Sequence, residues 1–468
     1  MNTAQRHWDR QLVSRTIKAY DVRSIVGEDL TDDFVTDCGA AFAELLREEG
    51  ATTVIVAHDM RVSSPQLAEA FITGVTSRGL DVTMIGLAST DEMYCASGVW
   101  DSPGAMFTAS HNPAAYNGIK MCRAGARPVG QDTGLRTIST WLVEGLPDYT
   151  GPAGTRRDAD MLATYGEFVR NLVPLTGNRP LTVAVDAGNG MGGYTVPEVF
   201  AGLPLDVRPL YFELDGSFPN HEANPLDPKN LVDLQEFVRT TGADVGLAFD
   251  GDADRCFVVD ERGEPVSASA ICALIASQYL EHQPGASVIY NVITSHAVPE
   301  IVAEKGGKAL RSRVGHSFIK ALMAESGAVF GGEHSAHYYF SDFFNADSGI
   351  VAALHVLAAL GGPANPDQLP LSELMREYSR YQASGEINTR VASATEQEKK
   401  TAAVLAHFGD RVAAVDRLDG VSVSLTGTDA WFNLRASNTE PLLRLNVEAR
   451  TEAEVADLTA EVLSIVRA

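Results

Sequence analysis

The chain has 468 residues, 45% hydrophobic and 21% charged, an ordinary globular composition with room for about three or four domains. Its formal net charge of −24 repels nucleic acid and anionic membrane, so neither is expected as a partner. The five cysteines form no C-x-x-C pair, and neither a secretory leader nor an apolar run of membrane-spanning length is read. This argues against a disulfide framework or structural zinc and makes the cytoplasm the expected location.

In chain order, KAYDVRS (18–24) places Tyr20 and Arg23 near the start. TTVIVAHDMRVSS (52–64) is an apolar β-rich run, then a polar loop, then a helical pattern. LTVAVDAGNGMGG (181–193) and ASVIYNVITSHAV (286–298) share that layout. Strands alternating with helices predict α/β units, here three similar domains in series. Three stretches rich in Gly, Pro or polar residues, DYTGPAGTRRDAD (148–160), DERGEP (260–265) and GGPANPDQLP (361–370), are the expected linkers. They divide the chain into domains at 1–153, 154–260, 261–368 and 369–468. The last part carries the strand-like runs VSVSL, WFNLRAS and LLRLNVEA and ends in a helix. Thr451 and Glu454 are its capping box, and Val455, Leu458, Val462 and Ile465 its apolar face. This tail reads as a smaller α+β domain.

Four stretches carry chemistry. In TASHNP (108–113), Asn112-Pro113 favours a turn after the strand-like GAMFTA, so Ser110 is expected on an exposed loop at a strand end. In AFDGDADR (248–255), Asp250, Asp252 and Asp254 crowd one loop between the apolar runs DVGLAF and CFVVD. Three such carboxylates repel one another unless a cation sits among them. A hard divalent ion fits, Mg²⁺ if phosphate is present. An EF-hand would need Glu261 as its last ligand, but CFVVD inside that loop spoils the ligand positions. Arg255 follows directly, to pair with a phosphate or with one of the aspartates.

In GGEHSAHYYF (331–340), Glu333, Ser335 and His337 alternate. In an extended chain they share one side and form a hydroxyl-recognition set suited to a sugar. In RASNTEP (435–441), Arg435, Ser437, Asn438 and Thr439 gather a guanidinium, hydroxyls, an amide and backbone N–H groups, the donors a phosphate monoester needs. Lys120 in YNGIK and His316 in VGHSFIK are weaker signals. The glycine-rich VDAGNGMGG matches neither dinucleotide nor P-loop spacing.

In this order and at these separations, TASHNP, DGDADR, GEHSAH and RASNTEP resemble the α-D-phosphohexomutases. YDVR, DAGNGMGG, DGSFPNHEANP (215–225) and TEPLLRLNVEA add to the likeness, which runs over essentially the whole chain. The resemblance implies three related α/β domains with mixed sheets and a C-terminal α+β, TBP-like domain around a central cleft. It implies that Ser110 is a phosphoserine that gives its phosphoryl group to a hexose monophosphate and recovers one from a hexose 1,6-bisphosphate. Asp250, Asp252 and Asp254 would hold Mg²⁺, with a Ser110 phosphate oxygen as a further ligand. Lys120 and Arg23 resemble residues beside the reacting phosphate. His111 and His316 stand as acid/base or positioning groups. Tyr20 and Arg255 join Glu333, Ser335 and His337 in substrate binding, and Arg435, Ser437, Asn438 and Thr439 would clamp the other phosphate.

The GEHSAH form resembles the phosphomannomutase/phosphoglucomutase branch, with the phosphoglucosamine form GEQSGH close by. The expectation is therefore a phosphomannomutase that also takes glucose phosphates, working on small hexose phosphates as a monomer or weak homodimer. A phosphatase or a non-catalytic hexose-phosphate sensor is the competing reading. Two departures from relatives stand out, Ser24 in place of a turn glycine and His296 in place of a cation. Because the bisphosphate must turn over between transfers, the C-terminal domain is expected to move, with DYTGPAG and GGPANP as hinges.

Overall fold

The computed structural model describes residues 6–437 and 441–468. It divides into two compact units, Met1–Val266 with Ser335–Leu374, and Ser267–His334 with Met375–Ala468.

The first unit holds two mixed sheets. In the first, Thr53–His58 lies parallel to Asp81–Leu87 and Gly104–Phe107, and Tyr116–Arg123 and Val22–Ile25 continue the sheet antiparallel. The run TVIVAH is buried in its middle because helices cover the sheet on both faces, which is why it reads as continuous rather than alternating hydrophobicity. Helices Asp32–Glu48 and Ser64–Ser77 contribute Phe34, Phe42, Leu67 and Phe71 to that core. The second sheet runs Pro265–Val266, Cys256–Asp260, Val245–Phe249, Leu181–Asp186, Leu205–Leu210. Helix Val232–Thr241 packs Leu234 and Val238 onto Ala184, Ala248 and Val259. Gly104–Phe107 and Val245–Phe249 end in the loops that carry Ser110 and the aspartates, the carboxyl edge where α/β sheets bind ligands.

In the second unit, Ser287–Asn291 lies between parallel Lys308–Ser312 and Phe330–Gly332. A separate antiparallel sheet, Val412–Asp416, Val421–Leu425, Trp431–Ala436 and Leu442–Ala449, packs against helices Ala394–Phe408 and Glu452–Val466. Polar contacts tie the two parts of this unit together. Arg311 Nη1 donates to Asp416 Oδ2 at 2.6 Å, and Glu448 Oε1 accepts from the His296 N–H and from Trp431 Nε1.

Several elements differ from expectation. DERGEP is the hairpin turn between Cys256–Asp260 and Pro265–Val266, closed by Asp260 Oδ1 accepting from the N–H groups of Arg262 and Glu264. Part of the 148–160 stretch is an edge strand, Arg156–Asp158, paired with Asp81–Leu87 and fixed by Thr155 on Asp81. In GGPANP the buried Asn365 donates to the Leu360 and Leu369 carbonyls and accepts from the Leu369 N–H. Both candidate hinges lie inside the first unit, and the chain changes unit instead at Val266–Ser267, His334–Ser335 and Leu374–Met375.

Candidate active site

Ser110 stands on the turn after Gly104–Phe107, as expected, but it is only 5% exposed rather than open to solvent. Its φ of 48° is left-handed, a conformation that costs a non-glycine residue about 1–2 kcal/mol. Local bonds hold the turn: the Ser110 N–H donates to Thr108 Oγ1 at 2.9 Å and the Asn112 N–H to the Ala109 carbonyl. The hydroxyl donates to Asp250 Oδ2 at 2.6 Å and lies 3.2 Å from His111 Nδ1.

The aspartates sit in a tight loop because strands on both sides pin its ends. Asp250 Oδ2 also accepts from Arg255 Nε at 3.0 Å, and its Oδ1 from the Arg255 N–H. Asp252 Oδ2 accepts from Thr90 Oγ1 at 2.6 Å and from Lys120 Nζ at 2.7 Å. Lys120 Nζ also donates to Asp254 Oδ2. Asp252 Oδ1 and Asp254 Oδ1 are buried with no hydrogen-bond partner. Burying such oxygens unpaired is costly.

The three carboxylates offer ligand atoms within 4.8 Å of one another. Hard oxygen donors, two of them orphaned, fit a divalent cation. Glu261 is excluded from that set, because it accepts from the Ser372 N–H and hydroxyl beyond the intervening strand.

Electrostatics sort the groups. Burial pushes the Asp250 carboxyl up to about 7 against the pull of Arg255. Burial also opposes charge on Asp252, but the Lys120 ammonium and the Thr90 hydroxyl outweigh it and hold this carboxyl below the usual range. Lys120 is likewise desolvated, yet Asp252 and Asp254 keep it well above its ordinary pKa. Their two carboxylates hold it as a cation. Burial, reinforced by Arg255 and Arg23, holds the His111 imidazole well below its usual pKa, so it is neutral.

Arg23, on strand Val22–Ile25, donates to the Ala109 carbonyl at 3.2 Å, to Asn112 Oδ1 at 2.7 Å and to Asp21. It braces the serine turn. Tyr20 is half-buried on the bend leading into that strand. Ser24 pairs with Asn117 inside the strand, outside the left-handed region, so no glycine is needed there.

The GEHSAH stretch is not extended. Ala336, with φ 64°, turns the chain, so the alternation of an extended chain does not relate Glu333, Ser335 and His337. Ser335 and His337 belong to the first unit. There His337 forms a bridge with Arg255, its Nε2 lies 3.9 Å from Asp254 Oδ1, and its Nδ1 is 3.2 Å from Ser335 Oγ.

Glu333 belongs to the second unit, buried and accepting from Asn291 Nδ2 at 2.9 Å. His316 opens the helix His316–Ser326 of that unit. Arg435 is 5% exposed at the end of Trp431–Ala436 and pairs with Glu386, which also pairs with Arg444. Ser437 follows, half-buried, while Asn438 and Thr439 lie outside the described residues. His296 stacks on Trp431 at 4.6 Å, and burial together with Arg311 lowers it to about 4, so it is a neutral packing group.

Sequence reasoning missed Thr90, Arg61 and Asn291. Each acts on another residue rather than displaying a motif, and only HDMRVSS, with its Asp and Arg two apart, was open to notice.

Family models for phosphoglucomutase/phosphomannomutase match along the chain: α/β/α domain I over residues 14–141, domain II over 163–263, domain III over 267–381 and the C-terminal domain over 386–465. The chain is 38% identical to the phosphomannomutase of Salmonella montevideo, covering 96% of this chain and 98% of that one. It is 37% identical to the phosphohexose mutases of Xanthomonas campestris pv. campestris, with 96% and 98% covered. A crystal structure of a phosphoglucomutase/phosphomannomutase family protein from Burkholderia thailandensis superposes with a TM-score of 0.86 at 31% identity, over 97% of this chain and 98% of that one. The chain therefore belongs to the phosphoglucomutase/phosphomannomutase family, and is a phosphohexomutase, an isomerase of carbohydrate metabolism.

Proposed function

We propose that this enzyme interconverts mannose 6-phosphate and mannose 1-phosphate, and also accepts the glucose phosphates, through a phosphoserine at Ser110 and a hexose 1,6-bisphosphate. The observation that carries the reading is the 2.6 Å bond from Ser110 Oγ to Asp250 Oδ2, in a buried loop of three aspartates with two orphaned oxygens. A nucleophilic hydroxyl beside a carboxylate acceptor and a cation site is what phosphoryl transfer requires.

In the forward step the bond from phosphorus to Ser110 Oγ breaks and one to the sugar hydroxyl oxygen forms. The sugar hydroxyl gives up its proton, and Ser110 Oγ, as phosphorus leaves it, takes one up and regains its hydroxyl, so the proton count balances. In the return step the other phosphoryl group of the bisphosphate passes to Ser110 Oγ, whose proton ends on the sugar oxygen that phosphorus leaves. Asp250, Asp252 and Asp254 would hold Mg²⁺, which supplies positive charge to the transferring oxygens. Lys120 and Arg255 add fixed positive charge beside them, and Arg23 holds the serine turn. Glu333, Ser335 and His337 would contact the sugar, and Arg435, Ser437, Asn438 and Thr439 would hold the phosphate that is not transferred.

The proposed location is the cytoplasm. Its five cysteines are buried free thiols, and no helix among the described residues is long and apolar enough to cross a membrane. Exposed large apolar side chains, such as Val62, Trp100 and Val232, are scattered along the chain, which supports a monomer or weak homodimer.

The test is a paired assay with Mg²⁺ and a trace of glucose 1,6-bisphosphate, following 6-phosphate product from mannose 1-phosphate in one arm and glucosamine 1-phosphate in the other. Turnover of the mannose substrate, abolished in Ser110→Ala, is expected. Preference for glucosamine would assign the neighbouring branch. Binding without turnover in either arm would leave a sensor.

A further inference from the structure

The loop HDMRVSS, which follows strand Thr53–His58, carries Arg61, and this side chain is 1% exposed. Both terminal nitrogens of its guanidinium are spent on one short stretch of backbone. Nη2 donates to the carbonyl oxygens of Ser110 at 2.8 Å and Asn112 at 2.7 Å. Nη1 donates to those of Pro113 at 3.0 Å and Tyr116 at 3.1 Å. Nε lies 3.2 Å from Asp59 Oδ2, and Asp59 Oδ1 accepts from the Arg61 N–H at 2.9 Å and from the Ser64 hydroxyl. The Phe218 ring covers the guanidinium at 5.1 Å. A guanidinium sealed in this way, with its terminal donors committed to carbonyls, has none to offer a substrate.

The carbonyls it gathers belong to the turn that holds Ser110 in a left-handed conformation, φ 48°. Arg61 adds four bonds to the local ones and to those of Arg23, and a strained residue persists only where its surroundings over-determine it. The geometry points to Arg61 as a positioning residue for phosphoryl transfer: its fork fixes the backbone of residues 110–116 so that Ser110 Oγ faces Asp250, and Asp59 orients the fork. The inference rests on Ser110 being the residue that is phosphorylated. A lysine cannot replace the fork, because its single ammonium does not span carbonyls at both ends of the turn.

The test uses the full-length enzyme and its Arg61→Lys, Arg61→Met and Asp59→Asn variants. Two quantities are read: kcat and KM for mannose 1-phosphate, and the rate at which Ser110 takes up phosphate from glucose 1,6-bisphosphate, followed by intact mass. Arg61→Lys and Arg61→Met are expected to lose kcat and uptake rate together, by about 100-fold, with KM within about twofold of the parent. Asp59→Asn is expected to fall between. A purely structural role would lower the melting temperature without slowing uptake in the folded fraction.

Normal uptake and kcat in Arg61→Lys would overturn the proposal, as would a loss carried by KM. Should Arg61→Met fail to fold, Asp59→Asn decides on the same readings. Wild-type enzyme and Ser110→Ala run alongside. If the wild type takes up no phosphate on Ser110, the assignment of Ser110 fails and this inference with it. If it does and the variants match it, only the role of Arg61 fails.

Discussion

Gly251 sets how closely the serine turn and the metal loop approach. A Cβ at this position would come 2.3 Å from the Ser110 carbonyl oxygen, a backbone atom that Arg61 also holds. Neither side can yield cheaply, so Gly251→Ala is expected to cost about 1–3 kcal/mol of stability and to move Ser110 Oγ away from Asp250. Steady-state assay should show kcat down by about 100-fold, since small misplacements at a reacting centre cost that much. A variant with parental kcat would mean that the observed spacing is not required for turnover. Asp252 makes a second case. Its carboxylate shares the half-buried Lys120 with Asp254, so Asp252→Asn removes one of the three proposed cation ligands and one of the two carboxylates paired with that lysine. Activity should fall by about 100-fold or more, and added Mg²⁺ should restore little of it.

At the scale of elements, helix Thr90–Val99 meets the metal loop end-on. The Thr90 N–H donates to the Asp252 carbonyl at 3.1 Å while its hydroxyl holds the Asp252 carboxylate. Thr90→Val keeps the shape and removes only the hydroxyl bond. Partners that orient metal ligands are worth about 10–100-fold in affinity. Mn²⁺ titration by calorimetry should therefore show weakening of at least about tenfold in this variant, with the helix retained.

The elements also show what the sequence made legible. Strands and helices of the three α/β units fell where apolar runs gave way to polar loops, because burial on both faces leaves that mark. The C-terminal helix announced itself through Thr451 and Glu454, whose capping box is formed. DGDADR was legible because crowded carboxylates have few stable alternatives. GEHSAH was misread as extended, because nothing in its composition signals the left-handed Ala336. Gly and Pro content likewise says nothing about the hydrogen bonds of Asn365 and Thr155 that tie down the 361–370 and 148–160 stretches. Thr90, and Arg61 beyond its local pairing with Asp59, act through contacts with segments distant in sequence, and pattern within a segment does not report those.

For the molecule as a whole, stability and metal binding respond to pH in opposite directions. Glu92 is buried beside Asp91, and burial, with the Asp91 charge, pushes it up to about 8. A carboxyl with a raised folded pKa binds its proton more tightly folded than unfolded, so stability falls as pH rises from the unfolded value through about 8. His221 acts in the same sense. Burial opposes its charge, but the Asp186 bond at 3.0 Å outweighs it and raises the pKa. Its contribution is complete below the unfolded value of about 6.5 and is lost as pH rises through the folded one.

Asp250 works the other way. Before a cation binds, its carboxyl sits at about 7, and a proton there competes with the metal. Affinity for Mg²⁺ should therefore fall by about tenfold per pH unit below that value and level off above it. Melting curves from pH 6 to 9 without metal should decline steadily. Glu92→Gln should flatten the decline, because the amide has no proton to lose. With saturating Mg²⁺ the alkaline side should recover, since the bound ion stabilises the native state most where Asp250 is ionised. If the metal-free and metal-bound curves stay parallel across that range, Asp250 does not titrate at the site, and the cation is held without displacing a proton.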